Sequence, residues 1–169
     1  LVGDGSNGKN TYMTVLKGLA TGGYSAVAMK NLGNEQHLAR LEGKLFNLSE
    51  EASALAFRDT DAFKTICSGG EINVKTVYEK PYDIINRAKI IIACNEIPES
   101  GDSSHGFFRR FAIAPFNRTF QEHEMDHSID DKLRAERPGI LNMFLAAYKQ
   151  MKERGYLVST NSGKLKLKE

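Results

Sequence analysis

The chain opens on a glycine-rich turn, "LVGDGSNGKNT", in which Gly3, Gly8 and Lys9 keep the spacing G-x-x-x-x-G-K of a phosphate-binding loop. The usual pattern continues with Ser or Thr; here Asn10 stands in that place. Glycines at 3, 5 and 8 let backbone N–H groups crowd around phosphate oxygens, and the helix that follows would offer its positive end to the same anion. Lys9 would reach the β- and γ-phosphates. Asn10 offers an amide oxygen, a weaker ligand for a hard cation than a carboxylate but one that Mg²⁺ can use directly or through water. Thr11 comes one position late for that role.

Three further constellations fit phosphoryl chemistry. Glu50 and Glu51 end the apolar run "KLFNLSEE". One acid to position Mg²⁺ and one to orient the attacking water is what a phosphate-loop ATPase requires. Asn95 ends "AKIIIACN", where a polar tip on a buried strand could meet a γ-phosphate or the attacking water. Arg109 and Arg110 in "GFFRRF" could serve a neighbouring subunit's phosphate, stabilising charge in the transition state. Taken singly, each has a simpler reading as a solvated loop, a helix cap or a surface arginine. A fourth pattern, "HEMDH" from His123 to His127, matches H-E-x-x-H literally. Its acidic surroundings, "FQEHEMDHSIDD", lack the apolar face a zinc-protease helix needs, so it reads as a solvated loop.

These groups need elements to hold them. Tyr12, Met13, Val15, Leu16 and Leu19 recur at helical spacing up to Gly22-Gly23. Residues 34–41 suggest a short helix, 44–51 a buried strand, and "DTDAFKTICSGG" a capped helix stopped by glycines. "EINVKTVYEKPYDIINRAKIIIACN" reads as a hairpin turning near Glu79–Pro81, then a buried strand at Ile90–Cys94. "FFRRFAIAPF" reads as another strand. A helix over 139–154 carries the apolar stripe Ile140, Leu141, Phe144, Leu145, Tyr148 and Met151 and stops at Gly155. The class is therefore α/β with a hairpin insertion.

The 169 residues, 41% hydrophobic and 26% charged, suit one globular domain with a core. A net charge of +2 does not by itself point to nucleic acid. Cys67 and Cys94 have no C-x-x-C spacing, which fits a reducing compartment and gives no zinc site. No apolar run approaches the roughly 20 residues of a membrane span. A phosphate loop normally follows a buried strand, and only Leu1 and Val2 precede this one. The chain is thus expected to be a piece of a longer protein.

Loop, "NLSEE", "FKTICSGGEINVKTVYEKP", "AKIIIACNEIP", "FFRRFAIAPF" and "ERPGILNMFL" occur in one order. That order closely resembles superfamily 3 helicases, in particular the phage, plasmid and poxvirus-type primase-helicase family. The resemblance runs from Leu1 to about Tyr156, with residues 157–169 left as a basic flexible tail. It implies a phosphate-loop NTPase with an AAA+-like three-layer core and a β-hairpin inserted before the sensor strand. By match, Gly3, Asp4, Gly5, Ser6, Asn7, Gly8, Lys9, Asn10 and Thr11 would form the ATP-binding Walker A loop. Glu50 and Glu51 would be Walker B, with Asn10 and Glu50 toward Mg²⁺. Asn95 would be the sensor, and Arg109 or Arg110 the arginine finger. The hairpin would grip single-stranded DNA through Lys75, Lys80 and Tyr78. The resemblance further implies a hexameric ring, a primase domain upstream, and work in the cytoplasm of a bacterial host or virus-infected cell. Two rival readings are a small nucleotide kinase and a remnant that binds DNA or partners without turnover.

Overall fold

A computed structural model of the protein describes residues 1–51, 60–97, 102 and 104–155, with Glu51 described by its backbone alone. Helix α1 spans Lys9–Ala20 and buries Met13, Leu16 and Ala20, the three- and four-residue spacing of one helical face. Three parallel strands follow in the spatial order β1 (Tyr24–Ser25), β2 (Phe46–Glu51), β5 (Lys89–Cys94). Beyond β5 the sheet continues as single residues: Val2 bridges Cys94 on one side and Pro115 on the other, both parallel. Helices α2 (Glu35–Leu38) and α3 (Thr60–Ser68) lie in the connections.

Alternation along β5 divides the core. Ile91 and Ala93 pack with Leu48, Met13 and Leu16 beneath α1. Ile90 and Ile92 face the larger cluster that holds Phe63, Ile66 and Phe107. Burial on both faces is the expected outcome for a parallel strand as apolar as β5. Among the buried polar residues, Asn47 on β2 is the most enclosed. Its Oδ1 accepts from the Val27 N–H at 2.7 Å and from Ser25 Oγ at 2.8 Å, while its Nδ2 donates to the Val27 carbonyl at 2.9 Å. The side chain substitutes for the ladder where β1 ends.

The hairpin forms as the alternation predicts. β3 (Glu71–Val74) pairs antiparallel with β4 (Tyr82–Ile85), with Ile72, Val74 and Ile84 inward. Pro81 immediately precedes β4, where no ladder donor is required.

Two expectations need correction. "FFRRFAIAPF" is not a strand: His105–Phe108 form the short helix α4, capped by Ser104 Oγ accepting from the Phe107 N–H. Residues 111–116 run without strand structure apart from the Pro115 bridge. Phe107, Phe108 and Phe111 sit at helical spacing, and Phe63 stacks on Phe111 and lies against Phe107, so the three rings follow the helical period rather than the period of two. The second concerns the long helix α6 (Arg137–Arg154). It forms, follows α5 (Ile129–Ala135) and ends at Gly155 with φ 76°, but its apolar stripe is not core. Leu141, Phe144, Leu145 and Tyr148 are 40–55% exposed. Among the described residues no helix is long and apolar enough to cross a membrane. The tail at 157–169 lies outside the described residues.

Candidate functional site

The glycine-rich loop turns around the Lys9 ammonium. Gly8, in the left-handed region at φ 83°, takes the N-cap place of α1, and no side chain caps the helix. A helix's first N–H groups have no partner within the helix, so this end is open to an acceptor. Lys9 is 6% exposed. Its Nζ donates to the Gly3 carbonyl at 2.5 Å, to Asn7 Oδ1 at 3.0 Å and to Asn95 Oδ1 at 3.5 Å. Two residues chosen on separate grounds, the loop lysine and the asparagine ending a buried strand, thus meet across 86 positions of sequence.

What brings them together is the order of the sheet. Cys94 ends β5 and its N–H donates to the Leu1 carbonyl at 3.0 Å, while the Gly3 N–H donates to the Cys94 carbonyl at 3.3 Å. Asn95 therefore leaves the sheet directly beside the loop. On the other side the Phe116 N–H donates to the Val2 carbonyl at 2.7 Å, and the Phe120 N–H to the Ser6 carbonyl at 2.8 Å. The segment 114–120 forms the outer wall of the loop. Asp4, Ser6 and Asn10 are exposed on it, and Thr11 is half-buried.

The acids are placed less directly. Glu50 shares the α1-facing side of β2 with Leu48, two positions back in the strand. Its carboxylate lies 3.6 Å from Lys17 Nζ, two turns along α1. Lys17 could not be singled out beforehand, because an interior helix lysine has no motif. β5, not the loop residue Val2, is the immediate neighbour of β2, so one strand stands between Glu50 and the loop. The Glu51 side chain lies outside the described residues. Asn10 and Glu50 carry oxygen donors of the kind Mg²⁺ accepts, but no contact joins the two among the described residues, and Glu50 is paired with Lys17. Among the described residues no group of three or more His, Cys, Asp or Glu could hold a metal by itself, the "HEMDH" histidines included.

The two arginines behave differently. Arg110 Nη2 donates to Ser68 Oγ at 2.8 Å and Nη1 donates to the Gly106 carbonyl, tying the turn after α4 to the end of α3. Arg109 is exposed, and its guanidinium has no partner among the described residues. At the hairpin tip Lys75, Tyr78 and Lys80 are all exposed. Tyr78, at φ 69°, is fully exposed and packs into no core.

Comparison with known proteins bears on the fold. No curated protein matches the chain. Among solved structures, an A-form apo structure of the NrS-1 C-terminal region is similar, with TM-score 0.63 and 24% identity, covering 82% of this chain and 33% of that one. A second A-form apo structure of that region (305–718) gives TM-score 0.61 at 22% identity, covering 80% of this chain and 32% of the other. The chain thus spans about a third of the length of these structures. The likeness establishes a shared mixed α/β fold, with a parallel sheet between helices. Residues 1–110 match the model of DUF5906, described as a family of unknown function; the chain belongs to that family.

Proposed function

We propose that the chain is the ATP-hydrolysing motor module of a replication helicase, a phosphate-loop fold of the AAA+ kind that moves single-stranded DNA through a ring. The observation that carries the reading is the meeting of the Lys9 ammonium and Asn95 Oδ1 at an uncapped helix N-terminus. The spatial order β1, β2, β5, Val2, Pro115 supports it, because it sets the loop at the C-terminal edge of a parallel sheet between two neighbours.

In this reading Lys9 exchanges its present acceptors for β- and γ-phosphate oxygens, and the loop from Gly3 to Thr11 surrounds them. Asn10 and Glu50 would hold Mg²⁺, which supplies charge neutralisation on the phosphates. Glu51 orients the attacking water and Asn95 meets the γ-phosphate. Arg109 is the finger: a group that must reach a neighbouring subunit has to be free, and Arg110 is occupied by Ser68 and Gly106. Lys75 and Lys80 on the exposed tip supply phosphate-backbone contacts, and Tyr78 a stacking surface.

The deciding measurement is Mg²⁺-dependent ATP hydrolysis with and without single-stranded DNA, using Lys9→Ala as control. The expected result is turnover that rises with DNA and is lost in the variant. A folded, ring-forming protein without turnover would refute the motor. DNA-independent phosphoryl transfer to a nucleotide acceptor would replace it with a kinase.

A further inference from the structure

Asn7 lies between two groups of opposite demand. Its side chain is almost wholly enclosed, 7% exposed. Oδ1 accepts from Lys9 Nζ at 3.0 Å, and Nδ2 donates to the Phe116 carbonyl at 3.2 Å. An ammonium can only donate and a backbone carbonyl can only accept, so the amide has one orientation that satisfies both. Gly3 makes room for this bridge. A Cβ built there would lie 2.3 Å from Asn7 Nδ2 and 2.3 Å from the Phe116 oxygen. The glycine at the head of the loop is therefore required by a protein contact, and phosphate access does not account for it alone.

We propose that Asn7 is a positioning residue for Lys9, anchored on the outer wall of the loop at Phe116 and holding the ammonium where the phosphates arrive. The proposal rests on the phosphate-binding reading of the loop. Lys9 is a long, flexible side chain, and fixing it costs rotamer freedom that must otherwise be lost on binding. The present geometry makes that loss in the folded protein beforehand. Its three acceptors, Gly3 O, Asn7 Oδ1 and Asn95 Oδ1, match the three N–H donors of the ammonium. All three acceptors are uncharged, so a triphosphate can displace one or more of them. A carboxylate at position 7 would instead retain the ammonium as an ion pair.

A double-mutant cycle tests this. Affinity for a fluorescent, non-hydrolysable ATP analogue is measured for the unaltered protein, Asn7→Ala, Lys9→Ala and the double variant. Thermal unfolding of each is followed alongside. Asn7→Ala is expected to bind about tenfold more weakly. In the Lys9→Ala background the same change is expected to have almost no effect, since a residue acting through Lys9 cannot add to its loss. Additive losses, or an Asn7→Ala protein that binds like the unaltered one, would overturn the assignment. Should Asn7→Ala not fold, Asn7→Asp keeps the size, and its predicted binding is at least as weak; binding at the original strength would overturn the proposal equally. A protein that binds no triphosphate at all removes the phosphate reading together with this one. Binding lost in Lys9→Ala but unchanged in Asn7→Ala removes only this one.

Discussion

Adjacent arginines 109 and 110 look interchangeable in sequence and are separated by their contacts. Arg110 is fixed by Ser68 Oγ and the Gly106 carbonyl, while the Arg109 head is exposed without a partner among the described residues. Their substitutions should therefore have opposite signatures. Arg109→Ala is expected to leave the urea midpoint unchanged and to lower ATP turnover of the assembled protein about a thousandfold or more, the scale of a lost arginine finger. Arg110→Ala is expected to cost about 1 kcal/mol of stability through its lost hydrogen bonds, with a smaller effect on turnover. The reverse pattern in paired denaturation and hydrolysis assays would move the finger to Arg110. At this scale the sequence made Lys9 and Asn95 legible, because each sits at the end of a recognisable element. It could not reveal that Asn7 touches Phe116, a contact across 109 positions. Nor could it show that Glu50 faces Lys17, since a salt bridge between a strand and a helix leaves no local pattern.

The strand β2 illustrates how a polar residue can be structural at the scale of an element. Asn47 is fully buried, and both its amide groups bond the backbone of Val27 just beyond β1. Asn47→Ala would leave the Val27 N–H and carbonyl without partners in a closed interior, at a cost of about 3 kcal/mol. Urea denaturation followed by circular dichroism measures this directly; a loss under about 0.5 kcal/mol would mean that water reaches Val27. Periodicity made most elements readable: α1, β2, the β3–β4 hairpin, β5 and α6 all form where spacing placed them. It was misapplied at α4: a β-branched and aromatic composition over "FFRRFAIAPF" suggested a strand, but Phe107, Phe108 and Phe111 follow the helical period and Phe107 and Phe111 pack on Phe63. It also failed to tell that the α6 stripe is exposed. An apolar face records that something should cover it, and a stripe within one helix does not say whether the cover belongs to the same chain.

At the scale of the whole molecule, backbone hydrogen bonds at the loop end join the two sides of the sheet. Leu1 and Val2 stand between β5 and the 114–116 segment: the Leu1 amine donates to the Ile92 carbonyl at 2.7 Å, and the Val2 N–H to the Ala114 carbonyl at 3.1 Å. Beyond them lies a cavity of about 700 Å³ whose lining includes Ile90 and Ile92 on one side and Phe111 and Ile113 on the other. The Leu1 amine thus occupies the place of a ladder N–H while carrying a charge, and burial pushes its pKa below the ordinary value of about 8. Between the lowered folded value and about 8 the unfolded chain binds more protons than the folded one, so stability rises with pH across that window and levels off above it. A chain continued upstream of Leu1 by a few apolar residues replaces the amine with a peptide N–H, which makes the same bond uncharged. The continued chain is therefore expected to unfold at a higher temperature and to lose this pH slope, which melting curves from pH 6 to 9 would resolve. Parallel slopes in the two proteins would mean that the Leu1 amine is solvated and that its bond to the Ile92 carbonyl contributes nothing to the pH dependence.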